Sequence, residues 1–497
     1  MDGRSRPNTA RIAVAPSRLP RSVFFLIARL LADEHEVRAA RLCAARLANG
    51  RRVHTVQPNR SSLALSLRSV ERTASMKKDR PKRNLLQMLG PGFVTGASDD
   101  DPAGIGTYVQ AGAQFGYGQV WTALFTFPIM ATVQEMCGRI GRVTGKSLSA
   151  VMRDIYPPWF VFLIVALQVV TNTVNVGADL SAMAQSIQLM WHAPYVAILA
   201  GVTIVTAALI VLVPYRSYVT YLKFLGLTLL AYVATAFLVH LDWRTVGLAT
   251  IVPHIEMKKD FILALVAVFG VTISTYEFFW QAAEEVEEMV ERGDVPHEGV
   301  RPKDVDKQDV RDVAIDTTFG MFFSNLITYF ILVVAAATLH HSGHTNIQSA
   351  TDAARTLRPL AGQAAFLLFT LGIVSAGLLS IPVMAGSSAY AVGGALGWPR
   401  TLTKPFWEEW RFYGVIVGSC IIGIAVNLAH IPPFTLLFYS GVLSGIISPP
   451  MLFVVTHIGN NRRIMGAYKN NRYSATIGWL LCAFMAVAVV ALLVLQR

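Results

Sequence analysis

From about residue 85 to the C-terminus, long apolar stretches alternate with short polar or charged segments. A membrane-crossing helix needs roughly 20 mostly apolar residues. By that measure the pattern predicts eleven spans, over about 88–114, 118–138, 159–190, 194–213, 221–240, 261–290, 313–338, 361–395, 412–429, 433–457 and 474–495. Two of them are interrupted. The first holds Gly96-Ala97-Ser98-Asp99-Asp100-Asp101-Pro102-Ala103-Gly104-Ile105-Gly106. Pro102 removes a backbone donor and clashes with the preceding turn, and the glycines weaken the helix further. The sixth holds Gly270-Val271-Thr272-Ile273-Ser274-Thr275-Tyr276-Glu277, polar in mid-span and without proline. Interruptions at corresponding places in two halves point to an inverted-repeat transporter whose site lies between unwound helices. The expected fold is therefore all-α and polytopic, with spans 1–5 and 6–10 as a pair of inverted repeats and an eleventh span added.

Charge orients this arrangement. From Lys77 onward, 23 Lys and Arg fall in the segments on one side of the predicted spans and 6 on the other. Basic loops favour the cytoplasm, which places the N-terminus inside and, with eleven spans, the C-terminus outside. A bacterial-type inner membrane suits this pattern.

Composition supports a membrane protein: 53% of the 497 residues are hydrophobic and 15% charged, with a mean hydropathy of +0.47. The net charge of +12 would suggest nucleic acid, but most of it belongs to residues 1–75, which carry fourteen Arg, no Lys and five acids. This stretch has no sustained period and reads as a disordered extension. Met76-Lys77-Lys78-Asp79-Arg80 looks like a basic lead-in and an alternative start, so residues 76–497 form the expected transporter domain and no nucleic-acid partner is expected. The cysteines, Cys43, Cys137, Cys420 and Cys482, have no CxxC spacing and indicate neither a disulfide framework nor zinc.

Three acids in the first span are costly unless they face water or a cation. Asp101 is the leading candidate ligand; its alternative role is to cap the half-helix that begins near Ile105. Asp99 and Asp100 form either an outer funnel or part of a hydrated mouth. Glu277 follows Ser274 by about one turn and is either a second pathway carboxylate or the partner of a neighbouring helix. Ser274 is a ligand, a holder of water or simply the residue of the break. Asp179, in Asn175-Val176-Gly177-Ala178-Asp179, has either a pathway role or a structural hydrogen bond. Glu284, Glu285, Glu287 and Glu288, at the inner end of the sixth span, form either an inner funnel for cations or a solvated helix end, the second being the expected reading.

At these residues the chain resembles the Nramp family of divalent metal transporters. The resemblance is carried by Gly90-Pro91-Gly92-Phe93, Asp101-Pro102-Ala103-Gly104, Gln110-Ala111-Gly112-Ala113, Gly138-Arg139-Ile140-Gly141-Arg142-Val143-Thr144-Gly145, and Ser440-Gly441-Val442-Leu443-Ser444 with Pro449-Pro450. It is collinear over about 85–457 and implies a LeuT-like fold of five plus five helices. It implies that Asp101 binds the metal with help from residues of the sixth span, and by position that carbonyls near Ser98 and Val271 contribute. Asp179 falls near a family acid implicated in proton movement.

The departures are as informative. Gly104 stands where the family has a metal-binding Asn, and Ser274 where it has a Met. Tyr276 and Gln281 stand where it has two His, and Gly441 where it has a Gln. The chain thus looks similar to the Nramp-related magnesium transporters. The loss of a thioether and two amides leaves oxygen ligands, which suit hard ions, and smaller side chains are expected to leave a roomier site. The implied function is inward secondary transport of divalent cations of the Mg, Mn and Fe class, with the metal as substrate and no cofactor. The alternative is a Na⁺-coupled carrier of a small organic solute. With no nucleophile–base pair and no phosphate loop, an enzyme is not expected. The partners are the cation and the bilayer, and the oligomeric state is left open.

Overall fold

The computed structural model describes residues 90–495 apart from 214–226, 304, 400, 403, 405 and 427–430. The expected extension, residues 1–75, and the lead-in at Met76 lie outside the described residues. The described secondary structure is helical throughout, without strands. Its principal helices are α1 (Pro91–Asp99), α2 (Pro102–Phe115), α3 (Trp121–Thr144), α4 (Leu148–Ile155), α5 (Pro158–Gln188), α6 (Tyr195–Leu212), α7 (Leu230–Leu238), α8 (Trp243–Ile251), α9 (Lys259–Ile273), α10 (Thr275–Arg292), α11 (Lys307–Ala335), α12 (Ala365–Leu396), α13 (Trp410–Val426), α14 (Pro433–Asn460) and α15 (Arg472–Leu495). Every predicted span contains one or two of these. The two expected interruptions are present, between α1 and α2 and between α9 and α10.

Local sequence explains the helix ends. α1, α2 and α5 begin with proline at the first helical position, where the missing N–H costs nothing. α11 opens with a reciprocal capping box between Asp306 and Asp309. α3 closes on Gly145, left-handed at φ 67°, whose N–H returns to Gly141 O.

Burial separates centre from periphery. Of the most apolar stretch in α9–α10, 94% is buried inside the protein, against 28% in α6 and in α15. α6 exposes Ile204 and Leu212, and α15 exposes Leu480, Val487 and Val494. In a bilayer these side chains meet lipid, where apolar exposure carries no hydrophobic penalty.

The central helices approach through glycine. A Cβ at Gly270 on α9 would lie 2.2 Å from Gly441 O and 2.4 Å from Gly445 N on α14. One at Gly441 would lie 2.8 Å from Val271 Cγ1 and 3.1 Å from Thr107 Oγ1. The room expected from a small residue at 441 is therefore taken up: α14 has closed onto α9 and α2, and the Val271 and Thr107 side chains line the position. Small residues at such crossings replace side-chain volume with close van der Waals contact.

Candidate cation site at two helix breaks

The first break is built residue by residue. Asp100 (φ −78°, ψ 58°) has the geometry of an inverse γ-turn, closed by Asp101 N donating to Asp99 O at 2.9 Å. Asp101 is extended (φ −76°, ψ 166°), as a residue before proline must be. It is also the N-cap of α2, its Oδ1 accepting from Gly104 N at 2.5 Å. The neighbouring donor, Ala103 N, goes to Asp179 Oδ1 on α5 at 3.1 Å, and Ser380 Oγ on α12 donates to Asp179 Oδ2 at 3.3 Å. Pro102 has no N–H, so the first two N–H groups within α2, those of Ala103 and Gly104, both end on carboxylates, as capping and helix polarity favour.

The second break occupies one residue. Ser274 sits at φ 43°, ψ 67°, and among the described residues it is the one non-glycine with positive φ. Such a conformation costs about 1–3 kcal/mol and persists where surroundings hold it. Here the Ser274 hydroxyl lies within hydrogen-bond reach of both Asp99 Oδ1, at 2.5 Å, and its own helix's Val271 O. Across the site, Ser324 Oγ on α11 donates to Asp99 Oδ2 at 2.6 Å and lies 3.3 Å from Asp100 Oδ1. Tyr276 OH donates to Ser98 O at 3.2 Å, and Ser387 Oγ on α12 donates to Tyr276 O at 2.6 Å.

The breaks therefore meet, with one difference from the sequence reading. The hydroxyl of Ser274 is bonded to Asp99, while Asp101 serves as the cap of α2 and keeps its second oxygen. Asp99 and Asp100 are buried, at 1% and 3% exposure, and line no open mouth. Glu277, in the first turn of α10, is fully buried, and among the described residues neither of its carboxylate oxygens has a hydrogen-bond partner. The carboxylates that act on it electrostatically are Asp99, Asp101 and Asp100. Among the described residues no Lys, Arg or His pairs with any of these acids or with Asp179; the buried Arg139 and Arg142 are engaged by Glu135 and Asp309 instead.

The remaining candidates sort by position. The carbonyls of Ser98 and Val271 end α1 and α9, where exposed carbonyls give the negative pole of a helix. Each accepts one hydroxyl and retains a second lone pair. A Cβ at Gly104 would stand 3.1 Å from Asp101 Oδ1 and 3.3 Å from Tyr108 Cε2, so the glycine allows the close approach of Asp101 that caps α2. Gln281 lies two turns further along α10 and donates to Thr317 Oγ1 on α11 at 2.8 Å, tying helices together away from the break. Glu285 and Glu287 correct the solvated-end reading: Glu285 is buried, and Glu287 Oε1 accepts from Tyr390 OH at 2.6 Å and Leu402 N at 3.0 Å. Ser324 was missed; a serine in a long apolar span carries no signal until its neighbour is known.

Among the described residues no three His, Cys, Asp or Glu side chains stand in metal-holding geometry by themselves. An ion here would complete its shell with hydroxyls, carbonyls and water. That donor set, on two broken helices, is transporter architecture. The family model for natural resistance-associated macrophage protein-like sequences matches residues 92–495.

The chain belongs to the Nramp family. Members of this family are transporters and not enzymes. Relatives include the divalent metal cation transporter MntH of Acidiphilium cryptum, 27% identical over 411 residues, with 80% of this chain and 89% of that protein covered. The MntH of Klebsiella pneumoniae strain 342 is 26% identical over 408 residues, covering 80% and 92%. Among solved structures, the Eremococcus coleocola manganese transporter in complex with an aromatic bis-isothiourea compound superposes with a TM-score of 0.68 at 16% identity, covering 82% of this chain and 87% of that one. At that identity the likeness is one of fold, and it agrees with the all-α, LeuT-like architecture.

Proposed function

We propose that this Nramp-family chain is a secondary transporter that moves hard divalent cations inward across a bacterial-type inner membrane, with its N-terminus cytoplasmic and its C-terminus outside. The observation that carries the reading is the buried Glu277 carboxylate in the first turn after the second break, which among the described residues has no hydrogen-bond partner, together with the buried Asp99, Asp100 and Asp101 at the first, with which no Lys, Arg or His pairs among the described residues. Buried charge without a partner is costly, and a cation is the partner that this set of acids calls for. The relatives named as divalent metal cation transporters support the substrate class.

In this proposal Asp101 and Asp99 are the charged ligands, and Ser274 and the Ser98 and Val271 carbonyls complete the shell with water. Asp100 and Glu277 balance charge along the pathway, while Asp179 and Tyr276 hold the two breaks in register. Oxygen ligands alone favour Mg²⁺ and Mn²⁺ over Cd²⁺. With Tyr276 and Gln281 in place of imidazoles, stoichiometric proton movement is not expected.

The test is flux in proteoliposomes with a panel of metals, with intravesicular pH recorded. Mn²⁺ or Mg²⁺ uptake that excess Cd²⁺ barely inhibits supports the reading. Tight Cd²⁺ block without Mg²⁺ transport would overturn the preference. Na⁺-dependent uptake of an organic solute with no metal flux would overturn the function.

A further inference from the structure

Asp316, Gly320 and Ser324 are spaced four residues apart on α11, which places them on one face of the helix. That face is applied to α1 from end to end. At the start of α1, Asp316 Oδ1 accepts from Gly90 N at 2.9 Å and Phe93 N at 3.1 Å, and Oδ2 accepts from Gly92 N at 2.7 Å. These are donors that the helix cannot satisfy itself. In the middle, backbones touch: a Cβ at Gly96 would lie 2.3 Å from Gly320 C, and one at Gly320 would lie 2.5 Å from Gly92 O. At the end, Ser324 Oγ donates to Asp99 Oδ2 at 2.6 Å.

The apolar contacts of α1 are few and only partly buried: Phe93 meets Phe319 of α11 with ring centroids 6.0 Å apart, and Val94 and Ala97 pack against Leu379 of α12. Its buried residues are Gly92, Thr95, Gly96, Ser98 and Asp99, whereas α2 buries Ile105, Tyr108 and Val109. Polar and backbone contacts can be exchanged for water or for an ion at little net cost; lost apolar burial cannot. Of the two halves of the first span, α1 is the one held mainly by polar and backbone contacts.

We propose that Ser324 is a positioning residue through which cation binding loosens α1 from α11. The proposal rests on the assignment of Asp99 to the cation site made above. In the empty site the Ser324 proton occupies Asp99 Oδ2. A cation on Asp99 competes for that oxygen, so binding withdraws the bond that fastens the site end of α1. Asp316 fastens the other end independently of the ion. Together they form a two-point latch, and one point reads occupancy.

The experiment uses the full chain, with the four native cysteines replaced by alanine and a reporter cysteine introduced on α1 by Ala97→Cys. Mn²⁺ affinity and the rate of thiol labelling, with and without saturating Mn²⁺, are measured in proteoliposomes. In the parent, Mn²⁺ is expected to raise the labelling rate. Ser324→Ala should label fast with or without Mn²⁺ and bind Mn²⁺ about five-fold tighter, because one competing hydrogen bond is gone. Ser324→Thr, which keeps the hydroxyl, should behave as the parent. Asp316→Asn should raise labelling in both conditions and leave Mn²⁺ affinity within about two-fold, because it weakens only a charge-assisted contact remote from the ion. Weaker Mn²⁺ binding in Ser324→Ala with parent-like labelling would make Ser324 an ordinary ligand and overturn the latch. Labelling unchanged in Asp316→Asn would overturn it from the other end. Parent-like Mn²⁺ binding in Asp101→Ala and Asp99→Ala together would instead remove the cation site itself.

Discussion

The two helix breaks solve one problem by different chemistry. The first uses proline, an inverse γ-turn and an extended aspartate, and every residue in it has an allowed backbone. The second uses a single serine in a left-handed conformation. The first is therefore a break by composition, which would form in many contexts. The second is a break by context, held open by what its hydroxyl reaches. The contrast separates backbone geometry that the chain imposes from geometry that the site imposes, and the second kind belongs with function.

The largest expected effect is at the site itself. Asp101→Ala removes both a ligand and the cap of α2, and Mn²⁺ flux should fall to background while the protein still reaches the membrane; undiminished flux would refute the assignment. Gly270→Ala tests the glycine seam beneath the second break. Its Cβ meets the backbone of α14, so overpacking should cost about 1–3 kcal/mol, read as a lower melting temperature in detergent. A melting temperature equal to the parent's would show that the seam can open.

Ser274→Gly divides the second break into its parts. Glycine accepts the left-handed conformation without strain, so stability should hold or rise. The lost hydroxyl should weaken Mn²⁺ binding by about ten-fold, the equivalent of about 1.4 kcal/mol. Unchanged affinity would leave Ser274 a mere hinge. Ser274→Met should shift competition several-fold toward Cd²⁺, because thioether sulfur suits softer ions; no change in the Cd²⁺ inhibition constant would count against Ser274 as a ligand. The smallest effect is expected at the first break. Pro102→Ala leaves the caps from Asp101 and Asp179 in place and should cost about 0.4–1 kcal/mol through the unfolded chain, with transport retained. Loss of transport would mean that the proline, and not its carboxylate neighbours, sets the geometry.

Sequence made the first break legible because its causes are local: Pro102 cannot continue a helix, and three adjacent acids announce a polar purpose. The second was legible only as a polar interruption. Nothing in Ser274-Thr275 specifies a left-handed residue, because the bond that favours it runs to Asp99, 175 positions away. The same holds for Ser324 and Asp316, whose partners lie more than 220 residues distant. Family resemblance located Gly441 but suggested a roomier site, because a missing side chain does not reveal whether its neighbours have moved in. Glu285 misled for a similar reason: a run of glutamates reads as water-facing until its helix is known to be enclosed.

The acids in the first span also bear on how the protein enters a membrane at all. Each Asp at the centre of a lone helix opposes insertion by about 2.5–3.5 kcal/mol, while Phe, Val and Ile favour it by only about 0.3–0.6 kcal/mol each. Between Pro91 and Phe115 the strong apolar residues are Phe93, Val94, Ile105, Val109 and Phe115, too few to offset Asp99, Asp100 and Asp101. Taken alone, this segment would stay outside the lipid. It becomes a span only when α5 supplies Asp179 for its cap and α11 supplies Ser324 and Asp316, both synthesised long after it. Insertion of this segment is therefore expected to depend on helices that follow it in the chain, which makes it a step of tertiary folding.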